Sequence, residues 1–167
     1  MRHPSSGTPD AVALLEGEHV AVEALFHEFN QLVEQGGCPL ARREIADRIG
    51  RQLLIHAVIE EEVFYPALRR VTQDAYLMDE AEVEHEAAKN LIFEVVAMSP
   101  DDFRFDAKVQ VLCEVVDLHV EHERRWMFPM ALDSGLDLAE LGRQLASRRA
   151  RLEALPWEEL APLTVLR

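Results

Sequence analysis

The sequence predicts an all-α protein, an antiparallel up-down-up-down four-helix bundle with an additional C-terminal helix. Apolar residues recur every three or four positions along four long segments and one shorter segment, and no segment shows the strict alternation of a half-buried strand. The 167 residues, of which 49% are hydrophobic and only 7 are glycine, suit one packed domain. Helix breakers separate the segments at Gly36-Gly37 with Pro39, Val71-Thr72, Ser99-Pro100-Asp101-Asp102, Gly135 and Pro156.

These breakers place the helices and the domain boundaries. We predict helices over residues 10–35, 41–70, 73–98, 103–133 and 137–154. Residues 10–133 are expected to form the bundle, after a flexible N-terminal tail over residues 1–9. Residues 134–167 are expected to form a C-terminal helix and tail that pack on the bundle, with residues 156–167 as the tail.

The net charge argues against nucleic acid and membrane partners. Seventeen Lys and Arg against 31 Asp and Glu leave a charge of −14, which phosphate backbones and anionic lipids repel. The first ten residues hold no apolar run, and no stretch of about 18 uncharged apolar residues occurs, so we expect a cytoplasmic protein. Cys38 and Cys113 stand far apart in different contexts and support no disulfide framework.

The first two helices each carry an apolar stripe that a histidine interrupts. His19 is the only polar residue of the first stripe, and His56 in the second is followed one turn later by Glu60. The stripes are Val12, Leu15, His19, Val22, Phe26, Phe29 and Val33, then Ala46, Ile49, Leu53, His56, Glu60, Val63 and Ala67.

The third and fourth helices repeat this pattern. His85 interrupts the third stripe, and His119 in the fourth is followed one turn later by Glu123. The stripes are Met78, Ala81, His85, Ala88, Ile92 and Val95, then Val109, Leu112, Val116, His119, Glu123, Trp126 and Met130.

The four histidines are predicted to share one layer of the core. In antiparallel neighbours joined by a short loop, residues equidistant from the loop lie at the same height. The midpoints between successive histidines fall at residues 37–38, 70–71 and 102, on or beside the breakers. We therefore expect one imidazole from each helix to meet in mid-bundle.

The two glutamates of this layer indicate bound cations. A buried carboxylate without a partner is unstable in an apolar interior, and neither stripe offers Glu60 or Glu123 a Lys or Arg. Each glutamate lies four residues after its histidine, so both side chains of the pair reach the same or adjacent ions. Six ligands exceed one tetrahedral zinc and are too rich in nitrogen for calcium or magnesium, whereas two carboxylate-bridged iron or manganese ions use them all.

Helices two and four look like copies of each other. HAVIEEEVFYPAL starts at His56 and HVEHERRWMFPMAL starts at His119, and each has a proline ten residues after its histidine. The prolines, Pro66 and Pro129, are expected to kink their helices by removing a backbone hydrogen bond.

These motifs resemble the hemerythrin-like HHE cation-binding domains. The paired H-x-x-x-E helices, with EGEHVAVEAL and VEHEAAKNL before them, cover roughly residues 10–133. The resemblance implies a four-helix bundle around a bridged, non-haem di-iron centre, with manganese or zinc as substitutes. It also implies that Glu60 and Glu123 bridge the metals and that the terminal imidazoles are His19, His56, His85 and His119.

One departure from the oxygen-carrying hemerythrins bears on function. Those proteins have a second histidine one turn from that of the third helix, but here Ala81 and Lys89 flank His85 at that spacing. Glu82, His122 or water is left to fill the position. The expected role is therefore reaction with oxygen, peroxide or nitric oxide, or sensing of them, or iron buffering, and a small diatomic or peroxide ligand is the expected partner at the metals.

Two other interpretations stay open, as does a homodimer. A ferritin-like di-iron carboxylate oxidase is favoured by Glu16-x-x-His19 and Glu82-x-x-His85. In helices two and four, however, the histidine precedes the glutamate, which is the reverse of the E-x-x-H order. A metal-free helical interaction module would use the polar layer only to fix helix register.

Several other residues are given ordinary structural roles. His27 lies about two turns, ~12 Å, from the histidine layer and His3 lies in the tail, so neither is expected to bind metal. Core filling is favoured over a pocket for the aromatic residues Phe26, Phe64 and Trp126. A solvated face or contact with acidic neighbours accounts for the basic fifth helix with Arg143, Arg148, Arg149 and Arg151.

Overall fold

A computed structural model describes residues 8–72 and 75–165, which include α-helices and no β-strand. Of the predicted N-terminal tail, residues 1–7 with His3 lie outside the described residues, as do residues 73–74 and 166–167. The helices are α1 Ala11–Glu34, α2 Pro39–Ile59, α3 Tyr65–Arg69, α4 Tyr76–Ala97, α5 Phe105–His122, α6 Phe128–Asp133, α7 Leu138–Glu153 and α8 Trp157–Val165.

Local signals set the helix ends close to the predicted positions. The Asp10 side chain accepts a hydrogen bond of 2.9 Å from the Ala13 backbone N–H and so caps α1. Gly36 follows α1 with a φ of +66°, a left-handed conformation that favours glycine. Pro39 occupies the first turn of α2, where its missing N–H breaks no helical bond.

The predicted bundle is confirmed. Helix α1 packs on α2 and α4 packs on α5, while contacts of α1 with α5 and of α2 with α4 join the two hairpins. Two apolar clusters fill the interior, one containing Leu15, Phe64 and Met78 and the other containing Phe29 and Phe105. No described helix has the length and apolarity that a membrane span requires.

Two π-helical turns interrupt the predicted second and fourth helices. The first π turn, Glu60–Phe64, joins α2 to α3, and the second π turn, Glu123–Met127, joins α5 to α6. In them the Tyr65 N–H bonds to the Glu60 carbonyl and the Phe128 N–H bonds to the Glu123 carbonyl, each five residues back. Both turns therefore begin at the predicted glutamate ligands.

The π turns bear on two expectations about these segments. Pro66 and Pro129, which were expected to kink their helices, stand in the first turn of α3 and α6, directly after a π turn. The extra residue per turn also rotates the following side chains. Trp126, placed on the fourth core stripe by regular spacing, is 50% exposed, while Met127 and Phe128 are buried in its place.

The C-terminal segment forms two helices. Helix α7 packs on α1, on α2 and on the first π turn, with Leu145 and Leu152 fully buried. Of the segment predicted to be a tail on the bundle, residues 156–167, Trp157–Val165 forms the helix α8, which packs on α2 with Leu160 buried. Its short length and internal Pro162 hid the helical signal.

Candidate metal centre

The four predicted histidines meet in the core as two pairs. The first pair is His19 and His56, whose Nε2 atoms lie 3.1 Å apart. The second pair is His85 and His119, whose Nε2 atoms also lie 3.1 Å apart. All four side chains are buried, and each pair joins two neighbouring helices of the bundle.

The Glu60 carboxylate stands between the two histidine pairs. Its Oε1 lies 3.1 Å from His56 Nε2 and its Oε2 lies 3.2 Å from His85 Nε2. Glu60 is 0% exposed, at the start of the first π turn. One side chain therefore presents an oxygen to each pair.

Glu123 occupies the matching position at the start of the second π turn. Its Oε2 lies 3.1 Å from His19 Nε2 and 3.6 Å from His119 Nε2, and the residue is 0% exposed. The structure thus brings all six predicted ligands together. Their atoms form two groups that share Glu60, one with His19, His56, Glu60 and Glu123 and the other with Glu60, His85 and His119.

The donor atoms fit a bound cation better than hydrogen bonding. Glu60 Oε1 and Glu123 Oε2 are buried and have no hydrogen-bond partner among the described residues, although each lies 3.1 Å from an imidazole nitrogen. Buried carboxylate oxygens without a donor are strongly unfavourable in an apolar core. Imidazole and carboxylate lone pairs facing a common point are the donor set of a transition-metal site.

A family comparison agrees with this geometry. The family model "Hemerythrin HHE cation binding domain" matches residues 10–131, most of the chain. The chain belongs to this family. The family assignment made from the paired H-x-x-x-E motifs is confirmed.

Two proteins are similar to this HHE domain, one in sequence and one in structure. A protein named DNA nickase from Nostoc sp. (strain PCC 7120 / SAG 25.82 / UTEX 2576) is 31% identical over an alignment of 116 positions that covers 66% of this chain. The chain spans only 30% of that relative's length. The crystal structure of an HHE cation binding domain-containing protein of Mycobacterium kansasii, an Rv2633c homolog, superposes with a TM-score of 0.74 at 21% identity and covers 93% of this chain and 99% of its own.

A second ring of glutamates orients three of the imidazoles. Glu18 Oε2 lies 2.6 Å from His56 Nδ1, Glu61 Oε1 lies 2.8 Å from His85 Nδ1, and Glu84 Oε2 lies 2.9 Å from His119 Nδ1. A carboxylate on Nδ1 fixes the tautomer that leaves Nε2 free for a metal, and it increases the basicity of the ring.

These carboxylates change the protonation of the histidines. Burial opposes protonation of His56, but Glu60 and Glu18 outweigh it and raise the pKa of His56 well above its usual value. Burial acts against the charged form of Glu60 too, yet the surrounding imidazoles hold its pKa well below the usual range. Protons and cations therefore compete for the same buried atoms.

Tyr65 is a site residue that the sequence reasoning missed. Its hydroxyl lies 3.0 Å from Glu123 Oε1, 3.2 Å from Glu60 Oε2 and 3.3 Å from His85 Nε2. Burial and the carboxylates of Glu123 and Glu60 raise the pKa of Tyr65 well above its usual value, so the phenol keeps its proton. The signal was the comparison of HAVIEEEVFYPAL with HVEHERRWMFPMAL, where Tyr65 aligns with Phe128.

The two side chains suggested for the position of a fifth ligand bind other residues. Glu82, one of the two side chains suggested for that position, turns away to accept a 2.9 Å hydrogen bond from Arg69. The other, His122, points its Nδ1 at Glu84 Oε1 over 2.6 Å. Neither reaches the shared glutamates as closely as the phenol does.

Other candidate ligands lie outside the histidine layer. Glu16, which favoured a ferritin-like site, binds Arg124 through contacts of 2.7–3.0 Å and stays 3.7 Å from His19 Nδ1. His27 is exposed and bonds to Gln31, as expected for a residue without a metal role. A third acidic group, Glu80, Glu84 and His122, lies half-buried outside the layer.

An apolar cavity adjoins the histidines on the side away from Tyr65. The four imidazoles form part of its wall together with Glu18, Glu84 and Lys89, and the remaining wall is aliphatic. Lys89 is 8% exposed and donates a 2.7 Å hydrogen bond to Glu61. The aliphatic lining is Val22, Leu53, Ala57, Ala88, Ile92, Val115, Val116 and Val120.

Proposed function

We propose that this HHE domain binds two iron ions as a carboxylate-bridged, non-haem centre that reacts with dioxygen, hydrogen peroxide or nitric oxide. The observation that carries the proposal is Glu60, whose two oxygens lie 3.1 Å and 3.2 Å from one imidazole of each pair. One carboxylate that faces two separate donor groups is the arrangement that two neighbouring cations require. Glu123 offers the second bridge from the opposite hairpin.

The donor set supports iron over other cations. Four imidazoles and two carboxylates exceed the four ligands of a tetrahedral zinc site, and calcium and magnesium prefer oxygen donors alone. Manganese and zinc are expected to replace iron at the same ligands in vitro. Bound iron would supply the redox and ligand-binding chemistry. The protein orients the ligands, excludes water and holds a proton on Tyr65 Oη.

The cavity supports a small, uncharged reactant. Dioxygen and nitric oxide lose little hydration free energy on entering a mostly aliphatic cavity, whereas the more polar hydrogen peroxide needs hydrogen-bond partners, which the wall offers in Glu18, Glu84 and Lys89. The third helix offers no second imidazole beside His85, where Ala81 and Lys89 stand, and this favours reaction over the reversible oxygen carriage of hemerythrins.

The DNA nickase relative does not extend this proposal to nucleic acid. This chain spans 30% of that protein, so the nicking activity is a property of a much longer chain. A net charge of −14 also repels a phosphate backbone.

Reconstitution with ferrous iron tests the proposal. Wild-type protein loaded without oxygen should hold about two irons per chain, and its absorption spectrum should change on addition of peroxide or nitric oxide. The His27→Ala variant, which alters an exposed histidine, should behave like wild type, and Glu60→Ala should not. Binding of one iron or none, or a bound pair that responds to none of the three reactants, would contradict it.

A further inference from the structure

The C-terminal helix reaches the metal centre through a chain of side chains. Arg149 Nη1 of α7 lies 2.8 Å from Glu18 Oε1, an ion-pair contact rather than an aligned hydrogen bond. The other oxygen of Glu18 lies 2.6 Å from His56 Nδ1. Three groups thus link a helix outside the bundle to an imidazole whose Nε2 faces Glu60.

The position of Arg149 is fixed because α7 is firmly docked. A Cβ at Gly142 would lie 2.8 Å from the backbone carbon of Asp10, so only glycine permits this close approach to the start of α1. At the other end Arg51 of α2 donates a 2.6 Å hydrogen bond to the Leu155 carbonyl. Next to Arg149, Arg148 binds both carboxylate oxygens of Glu62 in the first π turn, at 2.5 Å and 3.0 Å.

The surroundings of Glu18 make its cationic partner important. Glu18 is 8% exposed and shares a narrow cleft between α1, α2 and α7 with Arg149, and His56 forms part of the cleft wall. The contact with Arg149 holds one oxygen of this carboxylate in place, which fixes the direction of the other. That other oxygen accepts the His56 Nδ1–H and holds the ring so that its Nε2 lone pair points at the metal position.

We propose that Arg149 is a positioning residue for His56, acting through Glu18, and that α7 is therefore a working part of the metal centre. This inference rests on the proposed metal-binding function. The effect of Arg149 is confined to the half of the site that contains His56. The equivalent histidine of the second pair, His119, is held by Glu84, whose further partner is His122 of α5 rather than a residue of α7.

Release of iron to a chelator tests this role. In the iron-loaded Arg149→Ala variant, one of the two irons should leave about ten-fold faster than in wild type and the other at the wild-type rate. Glu18→Gln should show the same selective loss, and the double variant should be no worse than Glu18→Gln alone. Arg143→Ala is the matched control, because among the described residues Arg143 forms its ion pair with Glu140 of its own helix.

A spectroscopic measurement separates positioning from general destabilisation. Mössbauer spectra of the ⁵⁷Fe-loaded variant should show one altered iron site and one unaltered site, at an unchanged melting temperature of the metal-free protein. Arg149→Lys, which keeps the charge, should release iron more slowly than Arg149→Ala but faster than wild type. A variant that fails to fold would be replaced by Arg149→Gln.

Three outcomes would overturn the inference. They are release from Arg149→Ala at the Arg143→Ala rate, equal acceleration of both irons, and additive effects of Glu18→Gln and Arg149→Ala. Failure of the underlying function is seen separately, since wild-type protein would then hold no iron pair before any variant is compared.

Discussion

The first pair, His19 with His56, and the second pair, His85 with His119, are built from the same parts. Within each pair the Nε2 atoms lie 3.1 Å apart. An aromatic ring stacks on one histidine of each pair, Phe128 on His19 at 5.5 Å and Tyr65 on His85 at 5.6 Å between ring centroids. The repeated sequence motif therefore produces two nearly equivalent halves of one site.

A single hydroxyl makes the two halves unequal. Tyr65 donates into the space between Glu60 and Glu123, while Phe128 at the matching position presents only carbon and hydrogen. The outer partners differ as well, with Arg149 behind the first pair and His122 behind the second. The repeated motif therefore builds both donor groups, while single residue differences give each group its own surroundings.

The largest expected effect comes from removing the group that both halves share. Glu60→Ala should reduce iron content from about two per chain to less than one, because each half loses an oxygen donor and the bridge is gone. Metal analysis after gel filtration measures this. Glu121→Ala, a change of an exposed glutamate on α5, should keep the wild-type content. Retention of both irons by Glu60→Ala would show that the halves are independent sites.

Tyr65→Phe should equalise the two halves. Without the phenol, the carboxylates of Glu60 and Glu123 lose a buried donor, so the metal-free protein should be destabilised by about 1–3 kcal/mol. Iron beside the second pair should also be released about ten-fold faster. Chelator release and thermal unfolding measure the two effects.

The other tyrosine of the chain is the control. Tyr76 is 69% exposed, so Tyr76→Phe should match wild type in both measurements. A Tyr65→Phe protein that cannot be told from Tyr76→Phe would remove Tyr65 from the site.

Metal-free protein should lose stability as the pH rises. Burial opposes protonation of His119, but Glu123, Glu60 and Glu84 outweigh it and raise its pKa to about 10. This folded-state pKa exceeds the ordinary value of 6.5, so the stabilisation is complete below pH 6.5 and is lost as the pH rises through about 10. Urea unfolding of chelator-treated protein should show a decreasing free energy of unfolding across that range.

Metal loading should reverse this trend. Cations displace the protons from the imidazoles, so the stabilisation gained on loading should grow between the same pH limits. A metal-free protein whose free energy of unfolding is flat or rises there would contradict the protonated-histidine network.

The smallest effect is expected at Glu16, where the hemerythrin-like and ferritin-like interpretations differ. Glu16 and Arg124 form a partly exposed ion pair, so Glu16→Ala should change stability by less than about 1 kcal/mol and leave the iron content at the wild-type level. Loss of iron in this variant would favour a carboxylate-rich ferritin-like site.

Most of the fold and the six ligand candidates were predictable from the sequence for one reason. Helical periodicity places residues on a common face, and breakers such as Gly36 fix the loop positions that set the height of each histidine. These two features alone predict that His19 and His85 lie in the same layer of the core. The same breakers placed the helix ends within three positions of the observed ones.

The missed features share a different cause. Regular spacing places Trp126 inside the bundle and gives Tyr65 no special position, but a π turn adds one residue and rotates everything after it. The link from Arg149 to His56 depended on how α7 docks, which local pattern does not determine. The π turns decided the first two positions and the docking of α7 decided the third, and helical periodicity encodes neither.

Anomalous diffraction at the iron absorption edge, from crystals of iron-loaded protein, tests the central claim most directly. Two peaks are expected for an iron pair, one among His19, His56, Glu60 and Glu123 and the other among Glu60, His85 and His119. A single peak, or peaks only at outer groups such as Glu80, Glu84 and His122, would contradict a carboxylate-bridged iron pair in the core.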